Sequence, residues 1–116
     1  TAYCLPGKTA SGPTTEEIYK VGGCIALPRN LERNLGARFG DIIQVEGVGN
    51  FIFADRMPGI YNKVDIYYPT YGQCMVFGAR RTQIRILKRG GGLAELRKLQ
   101  GNVKPFKRKV KNEKRP

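Results

Sequence analysis

The segment GDIIQVEGVGNFIFADR, residues 40–56, constrains the fold more than any other stretch. Ile43 and Val45 alternate with Gln44 and Glu46, then Phe51 and Phe53 alternate with Ile52 and Ala54. A period of two sends successive side chains to opposite faces of a strand. Gly47 and Gly49 interrupt the pattern at its middle, so the segment predicts a β-hairpin. The same signal recurs around it. Ala2–Cys4 reads as a short first strand, and GGCIALP (22–28) as an apolar strand bounded by Gly and Pro. KVDIYY (63–68) places Val64, Ile66 and Tyr68 on one face and Lys63, Asp65 and Tyr67 on the other. TQIRIL (82–87) gives a last strand.

Helical signals are fewer. Leu31 and Leu35, four apart and followed by Gly36, suggest one or two turns over 29–36. Pro69 and Thr70 open a predicted helix over 70–81 with Thr70 as N-cap, weakened at Gly72 and Gly78. GGG (90–92) reads as a hinge, and Leu93, Leu96 and Leu99 space a short amphipathic helix over 93–100. Residues 5–15, rich in Gly, Pro, Ser and Thr, read as loop. About six short strands with one or two small helices, and no βαβ regularity, predict a small mainly-β barrel or sandwich.

A chain of 116 residues, 41% of them hydrophobic, is the size of one domain. No apolar run approaches the ~20 residues of a spanning helix, so no membrane span is expected. The first residues lack the basic-then-apolar order of a signal peptide. Charge is uneven. Residues 1–87 carry 10 Lys and Arg against 7 Asp and Glu, whereas residues 88–116 carry 11 against 2. The C-terminal end is thus a basic extension suited to a polyanion such as nucleic acid, anionic lipid or an acidic wall polymer. Lys104, Lys107, Arg108, Lys109 and Lys111 are its candidate contacts. Phe106 among them offers one stacking ring, although non-specific binding is all that such a tail predicts for nucleic acid. A solvated extension is the alternative.

The chain has no histidine. Cys–His and Ser–His–Asp catalysis are therefore excluded. Cys4, Cys24 and Cys74 form no CxxC pair, so no metal site and no cofactor are expected. Free thiols or one disulfide fit three such cysteines. Acid–base chemistry near neutral pH falls to carboxylates, Lys or Tyr. Asp55 and Asp65 are the candidates, each at the edge of an apolar, β-prone run. If their strands pair as antiparallel neighbours, the carboxylates approach and one pKa rises. Turn capping by Asp55 and a solvated Asp65 remain the alternative. Tyr61, Tyr67 and Tyr68 offer a surface on which a sugar ring can stack, although Tyr68, on the apolar face, fits core packing better.

In order, the pieces TAYC (1–4), KTASG (8–12), CIALP (24–28), residues 40–56, NKVDIYYPTYGQCMVFGARR (62–81) and TQIRIL resemble the three-aspartate (3D) domain. That domain is shared by MltA-type lytic transglycosylases and stationary-phase survival proteins. The resemblance spans about residues 1–88 and is most specific over 62–87. It implies a six-stranded double-psi β-barrel over 1–88, followed by the basic extension 89–116. It also implies a cell-envelope or extracytoplasmic setting. The implied activity is non-hydrolytic cleavage of peptidoglycan glycan strands, with Asp65 as general acid/base and Asp55 as a second site carboxylate. Thr9 and Gly12 would line the groove, beside Tyr67. The first of the three aspartates falls near Leu27, where no acid is present. That absence keeps a second expectation in view: a catalytically degenerate barrel serving as a structural or binding module in a virion or envelope assembly, anchored by its tail.

Overall fold

A computed structural model describes residues 1–101; the five basic candidates of the tail, Lys104, Lys107, Arg108, Lys109 and Lys111, lie outside the described residues. The elements run β1 (Ala2–Tyr3), α1 (Thr15–Val21), β2 (Cys24–Pro28), α2 (Arg29–Leu35), β3 (Ile42–Val45), β4 (Gly49–Met57), β5 (Asp65–Tyr67), α3 (Tyr71–Phe77), β6 (Ile84–Lys88) and α4 (Leu93–Gly101).

The predicted hairpin forms, with Val45 opposite Gly49 and Ile42 opposite Ile52. Gly47 takes a φ of +77° in its turn, a conformation that favours glycine. Beyond Ile52, β4 runs on as the parallel neighbour of β2. One sheet results, in the order β1-β5-β2-β4-β3-β6. All five residues of β2 are buried, as expected for a strand covered on both faces.

The sheet does not close, which overturns the expected double-psi β-barrel. β1 and β6 stand at opposite edges with no ladder between them. β1 is only two residues long, and β6 presents Arg85 and Lys88, charges that discourage edge pairing. The architecture is also mixed rather than mainly β, with four helices among the described residues in place of one or two. A barrel buries one face of its sheet; here both faces are buried. On one, Ile25, Leu27, Ile43, Phe53 and Ile66 pack with Leu31 and Leu35 of α2 and Phe77 of α3. On the other, Cys24, Ile52, Ala54 and Tyr67 pack with Ile18 of α1 and Leu96 of α4.

That second core also moves the boundary expected after residue 88. Leu96 is completely buried, and the amide of Gln100 donates to the carbonyl of Ser11 at 2.8 Å, so α4 belongs to the body. The GGG turn is a packing point rather than a hinge. A Cβ on Gly92 would meet Ile52 Cγ1 at 2.7 Å, and one on Gly91 would meet Ile42 Cγ1 at 2.6 Å. No helix of the described residues is long and apolar enough to cross a membrane.

Candidate active site

The site forms where β2 passes between β4 and β5. Ile25 lies opposite Phe53, but Ala26 lies opposite Asp55, so Ala54 is one residue too many for the ladder. A bulge of this kind re-aims the side chains after it. Strict alternation from Phe53 would send Asp55 into the core beneath α2. The bulge turns it to the other face, where the Tyr3 hydroxyl donates to its Oδ2 at 3.1 Å. The backbone N–H groups of Ala10 and Arg56 donate to its Oδ1 at 3.0 and 2.9 Å.

Asp65 reaches the same place from the opposite side. It too lies opposite Ala26, across the antiparallel β2–β5 ladder. The two aspartates therefore bracket one alanine from strands that do not pair with each other. Two strand spacings set their backbones roughly 10 Å apart. They line one cavity of about 330 Å³ with Tyr3, Ala26, Tyr61 and Lys63. The small side chain of Ala26 leaves the floor open.

Asp65 is half-buried, and burial raises its carboxyl above the usual range, while the Thr1 ammonium, 4.0 Å from Oδ1, and then the Lys63 ammonium pull the other way. The neighbouring carboxylate is not the cause, contrary to the expectation from a close pair. The Thr1 hydroxyl donates to Asp65 Oδ1, and Oδ2 has no hydrogen-bond partner among the described residues. Asp65 is thus a raised, half-free acid, and Asp55 is a carboxylate holding a loop and a tyrosine.

Tyr3 is no second acid. Burial first, then the nearby Cys24 and Asp55, push its phenol far above the ordinary range. Burial likewise pushes the Cys24 thiol up to about 12. Both groups therefore stay protonated near neutrality, and Tyr3 acts as a fixed donor to Asp55. All three cysteines are free thiols. Among the described residues, no three His, Cys, Asp or Glu side chains gather as metal ligands.

Arg56 turns away from the aspartates. Its Nε and Nη2 donate to Glu32 Oε1 and Oε2 at 2.8 and 2.9 Å, and its guanidinium lies 4.4 Å over the Phe39 ring. Hydrogen bonding to Arg56 holds the Glu32 carboxyl below its usual range.

Three expected groove residues are elsewhere. Tyr67 is completely buried, with its ring edge-on to those of Tyr3 and Tyr19, and offers no face to a sugar. Alternation put Tyr67 opposite the core face correctly, but α1 and α4 cover that face. Thr9 is buried and donates to the Pro13 carbonyl at 2.7 Å, and the Gly12 N–H donates to the Thr9 carbonyl at 3.0 Å. Both shape the loop that rests on Asp55 through Ala10, and neither lines the cavity. Leu27, near the place of the absent aspartate, is completely buried in the core beneath α2. Among the cavity residues that sequence reasoning left out are Tyr3 and Lys63. Lys63 precedes Asp65 by two positions and Tyr3 lies within TAYC (1–4), but nothing local marks either as lining a cavity.

No protein-family model, curated protein or solved structure matches the chain.

Proposed function

We propose that the chain cleaves the glycan strand of peptidoglycan without consuming water, with Asp65 as its general acid and base. The observation that carries this reading is Asp65 itself. A half-buried carboxyl raised above the usual range, with one oxygen unpartnered, lines an open cavity opposite a second carboxylate. A carboxyl kept protonated toward neutrality is what protonation of a glycosidic oxygen requires. The motif order resembling the three-aspartate domain supplies the substrate class.

The protons balance within one residue. Asp65 gives its proton to the glycosidic oxygen as the C1–O bond breaks. Its carboxylate then takes the proton of the sugar's own 6-hydroxyl as O6 bonds to C1. The product is a 1,6-anhydro sugar, and Asp65 ends as it began. Asp55, fixed by three donors, faces the cavity as a positioned acceptor. The alkaline limb of kcat/KM then follows Asp65 and lies above its ordinary value of 3.8.

The test is mass spectrometry of products released from purified wall sacculi. Wild type should release anhydro-muropeptides, and Asp65→Asn should release none while keeping its secondary structure. No anhydro product from wild type would end the reading.

A second reading, a non-catalytic binding module, draws on different observations. Leu27 supplies no acid at its place, and Asp55 is committed to structural donors. On that reading Asp65→Asn leaves every function of the chain unchanged.

A further inference from the structure

A larger cavity, about 710 Å³, shares Lys63 with the cavity of the aspartates. Lys63 lines both cavities, and Thr1, the donor to Asp65, lines the larger one. Arg80, Arg81, Asn34, Asn62 and Thr82 contribute its polar wall, and no acidic residue lines it. Lys63, Arg80 and Arg81 have no ion-pair partner among the described residues.

Arg80 is ordered without being neutralised. Its Nε donates to the Phe77 carbonyl at 3.0 Å, closing the last turn of α3, and its guanidinium lies 4.5 Å over the Phe77 ring. Its outer nitrogens stay available as a planar fork. The Lys63 ammonium lies 4.9 Å over the Tyr61 ring. Cations held on aromatic rings lose less freedom when an anion arrives than unsupported side chains do.

We propose that this cavity binds the carboxylates of the peptide branches on the same glycan strand whose sugar occupies the Asp55–Asp65 cavity. The inference rests on the function proposed above. The chemistry fits an acidic peptide: three cations for carboxylates, and two side-chain amides for a peptide backbone. Its sharing of Lys63 with the aspartate cavity fits a branch leaving the sugar at the scissile site. Lys63, shared by both cavities, sets the register between branch and bond.

Direct binding tests this without turnover. The probe is a soluble amino-sugar disaccharide carrying a peptide with free carboxylates, titrated against the full chain by calorimetry. The comparison probe is the same molecule with its carboxylates amidated. Arg81→Gln should weaken the acidic probe about fivefold, the scale of one partly exposed charge pair. Arg81→Gln with Lys63→Gln should weaken it further and narrow the gap between acidic and amidated probes, with Arg80 holding what remains. Lys20→Gln, a charge of α1 outside the cavity, should change nothing.

Equal binding of the two probes to wild type overturns the proposal, as does an equal loss in Lys20→Gln. A glycerol phosphate oligomer that binds more tightly than the acidic probe, with the same variant losses, overturns the assignment to carboxylates. The readout also separates the two claims. Discrimination between the probes without release of anhydro products keeps this cavity and ends the catalytic reading; release without discrimination does the reverse.

Discussion

Asp65 and Glu32 respond to pH in opposite directions because one is buried and the other is paired. For Asp65 the folded pKa is raised, so the folded state holds the proton more tightly than the unfolded chain. Its stabilising contribution is present below 3.8 and is lost as pH rises through the raised value. Asp65→Asn should therefore be more stable than wild type at neutral pH, with the gap closing in acid. For Glu32 the folded pKa is lowered by Arg56. That contribution is present above 4.5 and is lost as pH falls through the lowered value. Glu32→Gln should cost about 1 kcal/mol at neutral pH, since both partners are partly exposed, and nothing at strongly acid pH. Urea unfolding of both variants across pH checks the two signs. The identities of these residues, but not their environments, were legible. Asp55 and Asp65 stood out as acids in apolar runs of a basic chain. That Ala26 lies between them, or that Arg56 is drawn off to α2, depends on contacts between residues 24 to 39 positions apart, which no local pattern encodes.

Among the elements, legibility followed the strength of the local period. The hairpin, β2, β5 and β6 fell where alternation or apolar runs placed them. α3 stopped at Phe77, short of residue 81, because Gly78 takes a φ of +64° at its end. α1 was missed although its signal is present. Thr14 and Glu17 form a capping box, each bonding the other's backbone N–H, but only Ile18 of α1 is an apolar residue of the core, so no hydrophobic period marks the helix. The bulge at Ala54 was invisible for another reason. Phe51, Ile52, Phe53 and Ala54 are apolar without a break, so nothing in the run shows where alternation slips. The GGG turn was misread as a hinge because glycine marks close approach as well as freedom. Gly92→Ala tests the packing role. The added methyl meets Ile52 Cγ1 at 2.7 Å in a buried site, and the strain should cost about 1–3 kcal/mol. Trimming the opposing side chain in Gly92→Ala with Ile52→Ala should recover part of that cost relative to Ile52→Ala alone. A hinge would show no such coupling in a double-mutant cycle read by denaturant midpoints.

At the scale of the whole molecule, charge and core separate cleanly along the chain. Among the described residues, the two hydrophobic cores draw on the chain up to Leu96, with Leu99 packed against the second. Residues 102–116 carry 7 Lys and Arg against one Glu, half of the formal charge of +12. Two quantities should therefore divide when the chain is ended at Gly101. Thermal unfolding should stay within a few degrees of the full chain, because every core contact among the described residues is kept. Retention on an acidic wall or a polyanion column should fall sharply, because the loss removes seven cations at once. The full chain should elute at rising salt with a steep dependence, and the shortened chain with a shallower one, since fewer counterions are exchanged. The Arg80, Arg81 and Lys63 cavity is kept in both, so an acidic disaccharide-peptide should bind them with equal affinity at moderate salt. Loss of that binding on shortening would place the anion recognition in residues 102–116 instead, and would leave the larger cavity without its proposed role.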